Sequence, residues 1–193
     1  MKKTILKMIA VAGIVTGSVL TSNAQISIGL TGGLGLPMGD FGKLASTGFG
    51  GGLQGRYHVN DNLAVGLNLG YYTFGGVSID LGSLGKISSS YNIIPITLSG
   101  EYYFSDGDFK PFAALDLGMY SLGANVESTS NGVTTSADAD RLNKFGFGIG
   151  AGAAYGLSDN LDLISSVKYN TILDDASNLN WIGVNVGVSM KFD

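Results

Sequence analysis

Six charged residues stand out because each lies inside a segment that is otherwise apolar or rich in glycine. They are Arg56, Glu101, Asp116, Asp162, Lys168 and Lys191. A charge that is removed from water must find a partner, change its protonation or keep a water molecule. Arg56 and Glu101 each lie three residues from a turn-forming segment, which predicts a similar depth. We therefore expect Arg56 to meet Glu101 or Asp116; separate hydration in a wider interior is the alternative.

Few residues are available for other chemistry. The chain has one histidine, His58, and no cysteine, which excludes thiol catalysis and leaves too few ligands for a tight transition-metal site. A Ser-His-acid lipid hydrolase must face lipid, whereas His58 falls on the polar side of its segment. Gly148 to Gly152 lacks the helix of a dinucleotide site, and Gly-Lys at 42–43 and 85–86 lacks the spacing of a phosphate loop. We expect no enzyme activity, no metal and no cofactor.

The first 24 residues have the pattern of a secretory signal peptide. Three lysines precede an apolar run from Met8 to Leu20, and small residues lead to Ala24. Cleavage after Ala24 makes Gln25 the first mature residue and leaves one domain at 25–193. Without those three lysines, 8 of the 11 basic residues remain against 15 acidic ones. This acidic balance argues against a nucleic-acid partner.

Apolar residues alternate with glycine or polar residues in eight segments, as β-strands with one apolar face do. The segments are Ile26 to Leu36, Phe49 to Val59, Leu63 to Tyr72, Tyr91 to Phe104, Pro111 to Ser121, Phe145 to Leu157, Leu161 to Tyr169 and Trp181 to Asp193. The links at 60–62, 105–110 and 158–160 are short and rich in turn formers. They alternate with longer links near 37–48, 75–90, 122–144 and 170–180, which is typical of outer-membrane barrels with short periplasmic turns.

Aromatic residues on the apolar faces fall at two levels, roughly 20–25 Å apart, as the two girdles of a membrane barrel do. Tyr57, Tyr102, Phe104, Tyr155 and Phe192 lie near the short links, and Phe49, Tyr71, Phe145 and Tyr169 near the long ones. The sequence therefore predicts an all-β fold, an eight-stranded antiparallel up-and-down transmembrane barrel. Pro95 has no ladder donor, so we expect a bulge there.

The last strand also resembles a known assembly signal. Asn185, Gly187, Met190 and Phe192 have the spacing by which outer-membrane barrels are recognised for insertion, although Asp193 follows the aromatic residue that usually ends the signal. With this strand, the run from Ile93 through Leu98 and Glu101 to Phe112 resembles the small outer-membrane barrels related to the OmpA transmembrane domain, OmpX, OmpW and the opacity proteins.

The resemblance implies a protein of the outer membrane of a Gram-negative-type bacterium, with periplasmic termini and extracellular long loops. Outer-membrane lipid, lipopolysaccharide and the barrel assembly machinery are the implied partners, and the interior charges would form a plug like that of OmpA. Family members differ chiefly in their loops, so the resemblance is weak for function.

One inward face consists of a stripe of four glycines, Gly146, Gly148, Gly150 and Gly152. The stripe leaves interior space that a large side chain could fill, and the candidates are Tyr72, Tyr103, Tyr120 and Phe112. We expect a filled lumen and a structural or surface-interaction role through the loops. The alternative is a narrow OmpW-like channel for small or hydrophobic solutes. A soluble periplasmic barrel of lipocalin type is a third reading, and it requires the reverse register, with apolar residues inside.

The longest link contains Asn131-Gly132 between β-forming residues, which predicts a polar hairpin above the membrane. Its edge could accept a strand from an extracellular partner, or it could simply be solvated. Glu127, Asp138 and Asp140 could hold a divalent cation at the lipopolysaccharide surface, although three acids are a weak signal.

Overall fold

The computed structural model describes residues 25–80, 86–130, 133–174 and 177–192. These residues form nine strands and one short helix. The strands are β1 Gln25–Met38, β2 Gly48–Asn60, β3 Leu63–Asp80, β4 Lys86–Tyr103, β5 Phe109–Ser130, β6 Val133–Asp138, β7 Leu142–Ser158, β8 Leu161–Ile172 and β9 Leu179–Phe192, and the helix is α1 Phe41–Leu44. No helix in these ranges has the length and apolar character needed to cross a membrane. The predicted signal peptide and Ala24 lie outside the described residues.

Eight of the strands close into an antiparallel barrel, as predicted. Their order is β4-β3-β2-β1-β9-β8-β7-β5, and pairing between β4 and β5 completes the ring. The first and last strands are neighbours, in register from Ile26 opposite Phe192 to Met38 opposite Asn180. The predicted closing role of the final strand is therefore confirmed, and the barrel wall has no free edge.

Along each barrel strand, side chains point alternately to the outer surface and to the lumen, as they do in a barrel surrounded by lipid. On β1, Ile26, Ile28 and Leu30 point outward and are 51%, 52% and 61% exposed, while Ser27 and Thr31 are buried inside. The other barrel strands repeat this arrangement, so apolar residues form the outer surface, while polar residues and buried aromatic and small apolar residues line the lumen. This register excludes the lipocalin-type alternative.

At one end of the barrel the links are short, and the described chain begins and ends there; we call this the short-turn end. At the opposite, long-loop end, several strands continue past the predicted boundaries. β3 extends to Asp80, β4 begins at Lys86 and β5 reaches Ser130. β6 pairs with β5 from Asn125 opposite Asp138 to Ser130 opposite Val133. The predicted hairpin is present, although its turn residues, Asn131 and Gly132, lie outside the described residues.

The expected bulge at Pro95 is wrong. The β3–β4 register is the same on both sides of it, with Leu69 opposite Ile96 and Tyr72 opposite Ile93. A missing N–H removes a ladder hydrogen bond, but it inserts no residue, so the register is unchanged. The irregularity in this pair lies farther along, between Gly75 and Ser78.

The link between β1 and β2 folds inward. Gly39, at φ 59°, turns the chain, and α1 follows with Phe41 buried to 3% exposure. Asp40 accepts hydrogen bonds from the Lys43 ammonium at 2.8 Å and from the Ser177 hydroxyl at 3.1 Å. These contacts, Lys43 first, lower the pKa of the Asp40 carboxyl. They tie α1 to the link before β9 at the long-loop end.

Candidate functional site in the barrel interior

Arg56 and Glu101 form the most buried ion pair of the lumen, and they reach each other across an intervening strand. Arg56 lies on β2 and Glu101 on β4, and they are 4% and 1% exposed. Arg56 donates from Nε to Glu101 Oε2 at 2.6 Å and from Nη2 to Oε1 at 2.8 Å. The Tyr103 hydroxyl donates to the same carboxylate at 2.8 Å. Gly66 of β3 lies opposite Arg56, and a Cβ there would lie 3.3 Å from the Arg56 side chain.

Asp116 does not join Arg56; it pairs with Lys168. The Lys168 ammonium lies 2.7 Å from Asp116 Oδ2, and the Ser99 hydroxyl donates to Oδ1 at 2.6 Å. The Asn68 amide donates to Oδ1 at 3.2 Å. The carboxylate thus has partners from three other strands, β3, β4 and β8.

The last two predicted residues form a third pair, with Lys191 Nζ lying 2.8 Å from Asp162 Oδ1. The six charges are therefore organised as three opposite-sign pairs. His58 is nearby, with Nε2 at 3.2 Å from the Ser27 hydroxyl and its ring beside Tyr103. Within the described ranges, no group of three or more histidine, cysteine, aspartate or glutamate residues could hold a metal ion. Glu127, Asp138 and Asp140 are not gathered into such a group, and Asp138 accepts a hydrogen bond from Asn125.

Towards the long-loop end the lumen contains a second layer of buried side chains, which we call the aromatic plug. Its buried members are Phe41, Ala45, Phe74, Ile93, Tyr120, Ile172 and Trp181. The rings meet edge to face, with centroids 5.2 Å apart for Phe41–Phe74 and 5.7 Å for Tyr120–Trp181. Such pairs are more favourable than their buried area alone implies.

Sequence reasoning missed part of this plug. Phe74 and Trp181 fall on the inward side of their strands by alternation, so this signal was available. The sequence gives no such alternation signal for Phe41, because this residue lies in a link between strands. It enters the lumen only through the path of the chain around α1.

The two end glycines of the stripe face aromatic rings, whereas Gly148 and Gly150 face the side chains of Asn170 and Lys168. A Cβ at Gly146 would lie 2.7 Å from the ring of Tyr120, and one at Gly152 would meet the ring of Phe112. Tyr72 lies in the same way over Gly50, and Tyr103 packs on Phe112 with centroids 5.3 Å apart. The room left by the glycines is filled, largely by the residues the sequence indicated.

Two small cavities lie among the described residues of the lumen. One of about 110 Å³ lies at the short-turn end and is lined by Arg56, His58, Tyr103, Asp162 and Lys191 among others. The second, of about 170 Å³, lies at the long-loop end and is almost entirely apolar. They have no lining residue in common.

Of the four residues in the predicted assembly signal, two point outward and two point into the lumen. Met190 and Phe192 face outward and are 44% and 46% exposed. Asn185 accepts a hydrogen bond from the Tyr72 hydroxyl at 2.7 Å, and Gly187 packs closely against Thr31 of β1. The inward pair therefore has a structural reason to be present, whatever recognises the outward pair.

Comparison with known proteins now identifies the family. A family model described as outer membrane protein beta-barrel domain matches residues 8–192. The chain belongs to this family. Membership confirms the outer-membrane localisation and the small-barrel resemblance seen in the sequence, while the orientation of the loops and termini stays a prediction.

Solved structures of other proteins share the fold of this outer-membrane barrel at low sequence identity. Neisserial surface protein A superposes with a TM-score of 0.58 at 18% identity, covering 89% of this chain and 100% of that one. Ail, the attachment invasion locus protein of Yersinia pestis, gives 0.57 at 18% identity with the same coverage. An uncharacterized protein of Haemophilus influenzae is 28% identical over 130 residues, which span 60% of this chain and 66% of that relative.

Because the Arg56–Glu101 pair is buried, removing one partner leaves an uncompensated charge. We expect Arg56→Leu to lower the free energy of unfolding by about 3–5 kcal/mol, and the double variant Arg56→Leu with Glu101→Leu to recover most of that loss. Urea unfolding of the detergent-solubilised barrel measures both. Lys43→Ala is the control, since it breaks the exposed contact with Asp40 and should change nothing. Equal losses in the single and double variants would contradict this account.

Proposed function

We propose that this outer-membrane barrel is a non-enzymatic surface protein that acts through its long loops, with a lumen closed to solutes. The observation that carries the proposal is the filled interior, in which buried ion pairs and the aromatic plug lie in series between the two ends. A structure that blocks its own lumen leaves its loops as the part available for function. The proposed orientation places the long loops outside the cell and both termini in the periplasm.

The long-loop end offers a surface suited to interaction. β5 leaves the outer aromatic girdle near Met119, which pairs with Phe145, and continues to Ser130. At ~3.3 Å per residue this is roughly 35 Å of additional strand. β3, β4, β5 and β6 pair beside one another there, as the register from Ser78 opposite Ser88 to Thr129 opposite Thr134 shows. We call this polar sheet the ribbon.

The outer strand of the ribbon is suited to β-augmentation. β6 pairs only with β5 among the described strands, so its other side presents backbone donors and acceptors. Val133–Asp138 contains no proline or lysine, two of the devices that protect edge strands. A partner segment in an extended conformation could add to this edge by main-chain hydrogen bonding.

The chemistry of the interior supports a role without catalysis. His58 and the carboxylates lie inside the barrel among hydrogen-bond partners, and no nucleophile in the described part of the chain has a histidine base beside an acid. The hydrogen bond between His58 and Ser27 lacks the third group that orients a catalytic base. Ail, whose structure is also known in complex with the heparin analogue sucrose octasulfate, suggests extracellular glycans as one class of partner to test.

Electrical recording tests the closed lumen. In planar lipid bilayers we expect no stable conductance steps from the unaltered protein, because side chains block the path at two levels. The triple variant Arg56→Ala, Glu101→Ala and Trp181→Ala removes parts of both levels and should produce steps. The control, Leu98→Ala with Leu115→Ala, truncates outward-facing side chains and should stay silent. Stable steps from the unaltered protein would favour the alternative, a narrow channel for small or hydrophobic solutes.

Surface labelling tests the orientation and the role of the ribbon. We expect an epitope inserted between Asn131 and Gly132 to bind antibody on intact cells, and one inserted between Asp106 and Gly107 to bind only after permeabilisation. The reverse result would invert the proposed orientation.

Adhesion tests the role of the ribbon. Bacteria that display the chain should adhere to at least one immobilised matrix protein or glycan, heparin included. Bacteria that carry a chain with residues 127–136 replaced by Asn-Gly should adhere less strongly. Equal adhesion on every surface would remove the ribbon from the proposed function.

We further propose that the outward residues Met190 and Phe192 are read by the barrel assembly machinery, and that signal cleavage precedes this step between Ala24 and Gln25. Phe192→Ala should reduce the amount of folded barrel in the outer membrane several-fold. Phe104→Ala is the matched control, because Phe104 is also an exposed aromatic residue near the short-turn end. Gel mobility before and after heating measures the folded fraction. If both substitutions reduce the yield equally, Phe192 acts only as an interfacial aromatic residue.

A further inference from the structure

The apolar cavity at the long-loop end is an unusual feature of a surface exposed to water. Its wall consists of Phe41 from α1, inward-facing residues of neighbouring barrel strands and the start of β9. The lining residues are Phe41, Tyr91, Ile93, Leu122, Ala124 and Leu179, with Ala139, Leu142 and a few polar neighbours at the margin. We call this cavity the apolar cup.

The cup ends within the barrel. Ile93 and Phe41 form part of its wall and are 1% and 3% exposed, and both belong to the aromatic plug. Tyr120 and Trp181 of the same plug are also buried. A molecule that enters from the loops would therefore be retained in the cup and would not be passed through the lumen.

The polar residues around the cup leave its interior without a charge. Asp140 is solvent-exposed, which keeps its carboxylate hydrated. Asn92 is engaged elsewhere, since its side-chain oxygen accepts a hydrogen bond from the Tyr71 hydroxyl at 2.9 Å. The remaining surface consists of aromatic and aliphatic groups, so a charged or strongly polar ligand would lose hydration without gaining partners.

The size of the cup defines the ligand. Its volume of about 170 Å³ is similar to that of an engineered cavity of ~150 Å³, lined by leucine, isoleucine and phenylalanine, that binds benzene. We propose that the cup is a binding site for a compact neutral apolar molecule, such as a monocyclic aromatic compound, that reaches it from the long-loop side. This site is additional to the ribbon and to the closed lumen.

The surface next to the cup is consistent with this direction of approach. Tyr91 pairs with Ala124, and the next residues on the same face of β4 and β5 include Val126 and Ile87. Both are substantially exposed, at 47% and 37%. Exposed apolar side chains therefore continue from the cup onto the inner face of the ribbon, where they alternate with Ser89 and Ser128.

Because the chain has no cysteine, a single introduced thiol can report occupancy. The variant Ala124→Cys, in phosphatidylcholine nanodiscs, is labelled with methyl methanethiosulfonate with and without toluene. At a toluene concentration about five times the Kd, roughly five sixths of the sites are occupied, so labelling should slow about sixfold. Ser136→Cys is the control, because Ser136 is exposed and lies opposite Glu127 on the outer face of the ribbon; its labelling rate should not change.

A second variant separates binding in the cup from a general effect of toluene on the membrane. Adding Ala139→Leu reduces the free volume and should abolish the protection while the folded, heat-modifiable form persists. Saturation-transfer NMR of toluene gives an independent measurement if the thiol reacts slowly. Absence of both protection and saturation transfer would overturn the proposal. Protection by decanoate but not by toluene would also overturn it, because the cup would then accept an alkyl chain.

Discussion

Closure of the barrel in an apolar solvent is the constraint on which the rest of the structure depends. A lipid environment supplies no hydrogen-bonding partners, so every backbone N–H and C=O group of the spanning strands must be paired within the wall. Pairing of β1 with β9, and of β4 with β5, achieves this by removing both edges. Closure also fixes which side chains lie inside, and it brings together residues that are far apart in the sequence, such as Arg56 and Glu101.

An eight-stranded barrel has an interior just wide enough to be filled by side chains. Here large side chains fill the space that glycines leave, since rings such as those of Tyr120 and Phe112 occupy the space over Gly146 and Gly152. Charged residues are retained only as pairs with further hydrogen bonds, because an isolated buried charge is strongly unfavourable. The lumen therefore resembles a protein core in which ion pairs pack beside two apolar clusters, the aromatic plug and a smaller cluster that includes Phe112 and Ile164.

Water is available at the long-loop end, so polar side chains and an exposed strand edge can be accommodated there. β3, β4 and β5 extend beyond the wall as a polar ribbon, and serine and threonine contacts such as Thr129–Thr134 at 3.0 Å link its strands. The link that carries α1 folds back over the lumen and supplies Phe41 to the aromatic plug. One end of the molecule thus combines an exposed strand edge with the apolar cup, whereas the short-turn end is compact and polar.

The sequence by itself determined the number of barrel strands, the direction of every lumen charge and the presence of the outermost hairpin, because a period of two assigns each residue to a face. It indicated that Arg56 would find an acid, but it could not choose between Glu101 and Asp116. That choice depends on the stagger between strands that are not neighbours in the chain. The mistaken bulge at Pro95 has a similar origin, since the sequence shows a missing donor but not how the partner strand responds. The tertiary structure alone decided the pairing of charges, the fit of rings over glycines and the entry of Phe41, because each is a contact between distant segments whose relative positions only the closed barrel fixes.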